Sequence, residues 1–224
     1  MPGALGFAFE LARRAGAAIA RIVRKPGTPE PVSPAEREQR ATAAEHAGPC
    51  RYGLGAGGRD PRAVVPWGEY QARAGEDAAQ VKRRRALGRI WLDCSGAMAW
   101  VLGIPRRIAG YARGWGYVST DGLIADADDP AVELVQWVPI GATIQPWTAL
   151  VVYGSVDTDG DGDRDGIGHV GIVCAVPDGW TYQGPASLEA LTICHCAASA
   201  SATGAIRRSS GRPWARRGRL LAVL

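Results

Sequence analysis

Residues 91–100 read Trp91-Leu92-Asp93-Cys94-Ser95-Gly96-Ala97-Met98-Ala99-Trp100, and this stretch decides how the chain is interpreted. An apolar run begins directly after Asp93, whose side chain is typical of a helix N-cap. Gly103 and Pro105 follow the run and favour a helix end near Leu102. We therefore predict a helix from about Asp93 to Leu102, with Cys94 in its first turn. The residues expected on its buried face are Ala97, Met98, Val101 and Leu102.

The place of Cys94 at the start of a helix has a chemical consequence. Unpaired backbone N–H groups and the positive end of the helix dipole lie at a helix N-terminus, and both stabilise a charged sulfur. The thiolate, rather than the thiol, is the nucleophile in cysteine chemistry. We therefore expect Cys94 to ionise at neutral pH, with Asp93 and Ser95 capping and bracing the helix.

Two histidines lie in short β-type segments further along the chain. His169 lies in Gly168-His169-Val170-Gly171-Ile172-Val173, and His195 lies between two cysteines. The patterns predict strands over 150–153, 169–176 and 191–197 in an antiparallel sheet. A nucleophile helix packed on such a sheet is an α+β arrangement. If the two later strands pair in the right register, the histidines become neighbours.

A thiol, an imidazole and a third group that orients the imidazole together form the site of a cysteine hydrolase. Cys94, His169 and His195 fit these three parts. A cysteine more often serves as a small buried hydrophobe, and a strand histidine can instead satisfy a backbone carbonyl, so these alternatives stay open. A zinc site at Cys194-His195-Cys196 is disfavoured because alternate strand residues diverge and no second pair with zinc spacing accompanies them.

A tyrosine-containing, glycine-rich segment at 52–58 precedes these boxes and lacks the Lys-Ser/Thr of a phosphate-binding loop. The chain resembles the NlpC/p-sixty cysteine peptidases, which are papain-like hydrolases of bacterial cell walls. The resemblance follows the order of this segment, the Asp93–Gly96 box, the Gly168–Ile172 strand and His195. The resemblance covers roughly residues 50–197 and rests on order and spacing. The chain is similar in particular to phage-associated peptidoglycan hydrolases, in which the loop after the cysteine helix is long.

The resemblance implies a papain-like α+β fold and a set of site residues. Cys94 would be the nucleophile, His169 the general base that later protonates the leaving amine, and His195 the group that orients His169. The backbone N–H of Cys94 and the Tyr52 hydroxyl would stabilise the oxyanion, with Ser95 beside them. The implied reaction is cleavage of an amide bond in the stem peptide of peptidoglycan through a Cys94 thioester.

Two alternatives remain beside this function. One is an enzyme of the same fold, either an amidase at the sugar–peptide junction or an acyltransferase. The other is a catalytically silent virion or secretion-system module, for which Cys94 would be unreactive. The chain also departs from the family where Pro146-Trp147-Thr148 replaces a Pro-Gly-Asp turn and where Ala97 replaces a bulky apolar residue. These differences alter a turn and local packing rather than the chemistry.

An acidic run lies between the predicted strands, and its aspartates are Asp157, Asp159, Asp161, Asp163 and Asp165. Carboxylates at the first, third, fifth and ninth positions, with glycine at the sixth, follow the pattern of a calcium loop. Gly168 occupies the twelfth position, where a bidentate glutamate belongs, so a solvated acidic hairpin is the alternative. We predict a structural calcium ion here and no cofactor required for the chemistry; excess EGTA would then lower activity and melting temperature.

The length of 224 residues and the hydrophobic content of 46% suffice for one principal domain with an appendage. We place an N-terminal helical extension with a Pro-rich linker at 1–49 and the hydrolase domain at 50–224. Within the extension we predict an amphipathic helix over 5–24 that could dock a protein partner. A second helix is predicted over 35–47, with Ser33 as N-cap and Pro34 at its first position.

Composition also bounds the surroundings in which the protein acts. Five cysteines are an odd number without the density of a disulfide scaffold, so we expect synthesis in a reducing compartment. Charges interrupt the N-terminal apolar residues, so we expect neither a secretory signal nor a membrane span, and lysis, a phage particle or a secretion apparatus would deliver the protein. The net charge of +4 would help the protein approach an anionic polymer, whether cell wall, membrane surface or nucleic acid, without choosing among them. The resemblance implies peptidoglycan as the partner, and we expect no nucleic acid. The residues expected to wall its groove are Trp67, Trp115, Tyr117 and 119–121.

Overall fold

A computed structural model of the protein describes residues 27–48, 50–72, 75–86, 91–114, 116–129, 131, 134–155, 168–197 and 206–224. Three sequence predictions fall elsewhere. The amphipathic helix over 5–24, Trp115 and the acidic run from Asp157 to Asp165 lie outside the described residues. They remain predictions.

The described elements follow one another as helices first and strands later. The helices are α1 (Pro34–His46), α2 (Ala78–Ala86), α3 (Cys94–Val101), α4 (Tyr111–Gly114) and α5 (Thr120–Ala127), and two 3-10 turns cover Pro185–Ala190 and Arg212–Trp214. The strands are β1 (Arg51–Tyr52), β2 (Trp91–Leu92), β3 (Val135–Trp137), β4 (Ala149–Tyr153), β5 (His169–Ala175), β6 (Thr192–Cys196), β7 (Ile206–Ser210) and β8 (Arg219–Val223).

The main sheet has six strands in the order β3-β8-β4-β5-β6-β7, and every neighbouring pair is antiparallel. The expectation of an α+β chain with an antiparallel sheet is therefore confirmed. The strands predicted over 150–153, 169–176 and 191–197 are β4, β5 and β6 within one residue at each end. The short strands β1 and β2 pair in parallel in a separate two-stranded sheet.

Helix α1 begins as the sequence predicts. Ser33 caps it by accepting a hydrogen bond from the Glu36 N–H, and Pro34 occupies the first position. Its buried side is part of the core, since Ala41 and Ala44 are fully buried there. The buried Arg37 also donates to the Trp147 carbonyl oxygen at 2.8 Å. This helix, placed in the extension by the predicted boundary at residue 49, thus packs into the same core as the sheet.

Residues of the sheet alternate between two apolar clusters, one on each face. Val170, Ile172 and Cys194 contribute to a first cluster that also contains α3 and its Cys94. Val173, Ile193 and Trp214 belong to a second cluster under the 3-10 turns. Side chains at successive positions of β5 and β6 therefore leave the sheet on opposite sides. His169 and His195 lie on the face of the second cluster, against Trp214.

Helix α3 occupies the position predicted from residues 91–100. Asp93 is its N-cap, in an extended conformation, and Leu102 is its C-cap. The four residues predicted to be buried are fully buried, and the rest of the helix is buried as well, so burial is not limited to one face. A helix that is apolar all round is enclosed on every side, and here the first cluster and the glycine-rich loop enclose it.

Candidate active site

The first turn of α3 is held by Asp93. One carboxylate oxygen accepts from the Gly96 N–H at 2.6 Å, and the other accepts from the Gly55 N–H at 2.6 Å. The N–H of Asp93 itself donates to the Ala56 carbonyl oxygen at 3.2 Å. Asp93 thus ties the glycine-rich loop to the start of the helix that carries Cys94.

Arg106 completes this support, and the sequence analysis missed it. Its guanidinium forms an ion pair with Asp93, and the two side chains are only 1% and 2% exposed. It also donates to the carbonyl oxygens of Ala56 at 2.6 Å and Gly57 at 3.1 Å, and its carbon atom Cζ lies 4.6 Å from the centre of the Tyr117 ring. The only signal in the sequence is a charged residue directly after an apolar helix, which is not specific.

The glycine-rich loop lies against α3 at backbone distance. A Cβ atom added to Gly58 would overlap the Gly96 carbonyl group, and one added to Gly96 would lie 2.6 Å from the Ala56 carbonyl oxygen. Gly58 also has a φ of +64°, a conformation that favours glycine. The glycines of both sequence boxes are therefore required where the loop and the helix meet.

Ser95 has a structural place rather than the substrate-facing one that the resemblance assigned. Its hydroxyl donates to Asp93 at 3.3 Å and accepts from Arg106 at 2.9 Å, and the residue is buried. These bonds occupy the hydroxyl on the side of the helix that faces the loop. The bracing role inferred from the residues alone agrees with this position.

Cys94 lies between β1 and β5. The Tyr52 hydroxyl donates to its sulfur at 3.6 Å, and the backbone N–H groups of Val170 and Ser95 also point toward the sulfur. Burial raises the pKa of the thiol to about 11, with the nearby Asp93 adding to the increase, and the three donors only partly oppose it. The expected thiolate at neutral pH is thus corrected to a neutral, buried thiol, 4% exposed.

The two histidines meet as strand alternation allowed. Strand β6 pairs with β5 so that His195 lies opposite Gly171, two residues after His169. His169 Nε2 and His195 Nδ1 are 2.9 Å apart, a hydrogen-bond distance. The second ring nitrogen of His195, Nε2, lies 2.9 Å from Ser209 Oγ on β7, a contact that the sequence did not reveal.

Trp214 covers this histidine pair. Its ring stacks on His169 with centroids 5.0 Å apart and an angle of 16° between the planes, and it meets His195 edge-on at 5.6 Å. Burial lowers the pKa of each histidine to about 4, and the positive charge of Arg207 contributes to both shifts. Both imidazoles are therefore neutral at neutral pH.

Cys94 belongs to the first cluster, whereas both imidazoles pack on Trp214 of the second cluster, so the backbone of β5 is the link between them. The thiol faces the Val170 N–H, and Val170 follows His169 directly. In the described part of the chain, no hydrogen bond joins Cys94 to either imidazole. His169 Nε2 lies at hydrogen-bond distance from His195, so Nδ1 is the ring nitrogen of His169 available to accept a proton from a thiol.

The residues predicted to wall a substrate groove make contacts of their own. Tyr117 packs on Arg106, and Ser119 caps α5 by accepting from the Gly122 N–H at 3.0 Å. Trp67 is partly buried against the first cluster. Trp67, Tyr117 and Ser119 are each partly exposed, and the groove predicted from them stays a prediction. Two surface grooves, of about 510 and 620 Å³, lie along α1. One is beside Trp100 and the other is beside Arg207 and Arg208.

The described residues hold no group of three or more metal-binding side chains. The aspartates predicted to bind calcium are not among them, so that prediction stands untested. Cys194 and Cys196 face the first cluster while His195 leaves the sheet on the other side, as the alternation of the strand predicted. All five cysteines are buried and carry free thiols.

Comparisons with protein-family models, curated proteins and solved structures find no match to this chain. Among the helices in the described ranges, none is both long and apolar enough to cross a bilayer.

Proposed function

We propose that the protein is a cysteine hydrolase of the NlpC/p-sixty type, with a papain-like fold, that cleaves an amide bond in the stem peptide of peptidoglycan. The observation that carries this proposal is the arrangement around β5. A cysteine in the first turn of a buried helix lies beside the strand that begins with His169, and His195 holds Nε2 of that histidine at 2.9 Å. This is the order of nucleophile, base and orienting group that acyl transfer requires.

The proposed mechanism needs His169 Nδ1 to approach the Cys94 sulfur more closely than in the structure, where no hydrogen bond joins the two among the described residues. His169 Nδ1 takes the proton of Cys94 as the sulfur attacks the carbonyl carbon of the scissile amide. The C–N bond then breaks, and the same nitrogen returns the proton to the leaving amine, which leaves a Cys94 thioester. Water attacks the thioester with His169 as base, and the sulfur leaves and regains its proton.

The pKa directions bear on the proton transfer. The pKa of Cys94 is raised and that of His169 is lowered, so the thiol and the imidazole are both neutral at rest. On this proposal the proton moves to His169 as the sulfur attacks the carbonyl carbon. A bound substrate carbonyl supplies the developing oxyanion that makes this transfer favourable.

Two donors are available for the oxyanion. The N–H of Cys94 is among the first in α3, where backbone donors lack partners within the helix. The Tyr52 hydroxyl already lies 3.6 Å from the sulfur, and burial raises its pKa, so it stays protonated and can donate. Both agree with the roles that the resemblance gives to these groups.

The experiment is digestion of purified peptidoglycan with the wild-type chain, Cys94→Ala and a matched control, Cys174→Ala. Cys174 is another buried cysteine of the first cluster, and it takes no part in the proposed site. Mass spectrometry of the released fragments identifies the bond. Fragments from wild type and Cys174→Ala, but none from Cys94→Ala, are expected, and equal release by all three would refute the proposal. Cleavage at the sugar–peptide junction would assign the amidase instead.

A second candidate is the catalytically silent module, and one observation favours it. Cys94 is buried, and its pKa is raised, as expected for a cysteine that serves as a small apolar side chain. On this hypothesis none of the three variants releases fragments, with or without added calcium. Binding to insoluble peptidoglycan, or its absence, would then separate a wall-binding module from a structural one.

A further inference from the structure

We propose that Ser209 is a positioning residue that sets the tautomers of His195 and His169. The inference rests on the proposed function for the direction of the proton chain and for its effect on rate. Strand β7 pairs with β6 so that Ser209 lies opposite Ile193, on the sheet face that carries His195. Its Oγ atom lies 2.9 Å from His195 Nε2, and His195 Nδ1 lies 2.9 Å from His169 Nε2.

Counting protons along this chain of contacts gives one arrangement that suits a base. A neutral imidazole has one N–H, and the other nitrogen accepts. For His169 to accept a proton at Nδ1, its own N–H must be on Nε2, from where it donates to His195 Nδ1. The N–H of His195 is then on Nε2 and donates to Ser209 Oγ.

Removing the hydroxyl disturbs this arrangement. His195 is only 7% exposed, and among the described residues Ser209 supplies the sole acceptor for its Nε2–H. A buried donor without a partner is unfavourable, so the proton of His195 moves to Nδ1 and donates to His169 Nε2. His169 then carries its proton on Nδ1, the nitrogen that must accept from Cys94.

The neighbouring charges and rings do not provide a substitute for Ser209. Arg207 lies opposite His195 in the β6–β7 pairing and is a donor only, so it cannot accept from an imidazole N–H. Trp214 covers both rings and likewise has only a donor. Of these three neighbours, only the serine hydroxyl can accept from the His195 Nε2–H.

The test compares Ser209→Ala, Ser209→Thr and the control Ser210→Ala. Ser210 is the next residue of β7, is exposed, and leaves the sheet on the opposite face from Ser209. Long-range ¹H–¹⁵N spectra of ¹⁵N-histidine protein report the tautomer of each ring at neutral pH. The chain has three histidines, and a His46→Gln variant identifies the third signal.

We expect Nε2–H tautomers for both active-site rings in the wild type, in Ser209→Thr and in Ser210→Ala. Ser209→Ala is expected to place a proton on Nδ1 of His169 and to lower kcat about 10- to 100-fold with KM unchanged. Unchanged tautomers in Ser209→Ala, or an Nδ1–H tautomer of His169 in the wild type, would overturn the inference. If Ser209→Ala does not fold, the wild-type and threonine spectra still decide.

The spectra also separate this inference from the proposed function. A tautomer change in Ser209→Ala without any peptidoglycan cleavage by the wild type would leave the role of Ser209 standing and remove the hydrolase. Cleavage that depends on Cys94 but is unaffected by Ser209→Ala would support the hydrolase and remove the role of Ser209.

Discussion

Replacing Arg106 by methionine tests the support of the Cys94 helix most directly. The substitution keeps the length of the side chain but removes a guanidinium that is 1% exposed and paired with Asp93. The carboxylate of Asp93, itself 2% exposed, would remain buried without its counter-charge, and two loop carbonyl groups would lose their donor. Removing one partner of a buried ion pair costs about 3–5 kcal/mol.

This loss is large enough to measure by two methods. For a chain of this size, 1 kcal/mol shifts the melting temperature by about 2–4 °C, so Arg106→Met is expected to lower it by roughly 6–20 °C. Urea unfolding followed by tryptophan fluorescence gives the free energy of unfolding independently. The matched control is Arg212→Ala, whose ion pair with Glu189 is exposed and 3.7 Å long. It should change the free energy of unfolding by about 0.5 kcal/mol or less.

A double variant separates the charge from the cap. Asn at position 93 can still accept from the Gly96 N–H with its one carbonyl oxygen but carries no charge, so Asp93→Asn combined with Arg106→Met leaves no buried ion. A double-mutant cycle should therefore give a coupling free energy of about 1–3 kcal/mol. Loss of less than about 1 kcal/mol in Arg106→Met, or no coupling, would refute the argument that this ion pair holds the helix.

Three further predictions concern the loop, the histidines and the thiol. Gly58→Ala should destabilise the protein by about 1–3 kcal/mol more than Gly179→Ala, since both have positive φ but only Gly58 lies against α3; urea unfolding measures both. The lowered pKa values of His169 and His195 mean that the unfolded chain binds more protons between pH 6.5 and about 4. The free energy of unfolding should therefore fall as the pH falls through this interval. Alkylation of Cys94 by iodoacetamide, followed by peptide mass spectrometry, should be slow at pH 7 and faster toward pH 10, because its pKa is raised.

Each of these has an opposite outcome that would count against it. Equal stability of the two glycine variants would mean that the loop moves aside at no cost. A free energy of unfolding that is constant from pH 7 to 4 would mean that the histidines bind protons equally in the folded and unfolded chains. Rapid alkylation of Cys94 at pH 7 would show that the thiol is accessible and ionised, contrary to its burial.

Local patterns predicted those parts of the fold whose signals lie within a few residues of each other. Asp93 before an apolar run gave the start of α3, and Ser33-Pro34 gave the start of α1. The histidine strands were predicted because alternation is a property of single strands. Their pairing depends on register, which the sequence does not specify, and the structure supplies it.

The parts that could not be predicted depend on contacts between distant segments. Strand β7 carries the sequence Ile206-Arg207-Arg208-Ser209-Ser210, which resembles a solvated basic run because only its first residue is apolar. Arg106 looks like a surface arginine until the loop carbonyl groups surround it. The pKa of Cys94 was expected from the helix terminus alone, whereas desolvation by the surrounding core outweighs that effect.

The place of β8 in the sheet bears on the order in which the protein can assemble during synthesis. This strand, formed by Arg219–Val223, lies between β3 and β4 and pairs with both, although it follows all the other described strands in the sequence. A ribosome-bound chain that lacks these residues therefore leaves β3 and the β4–β7 strands as separate pieces with unpaired edges. Closure of the sheet is a late, long-range step, and the nascent chain is exposed to edge-to-edge aggregation until it occurs.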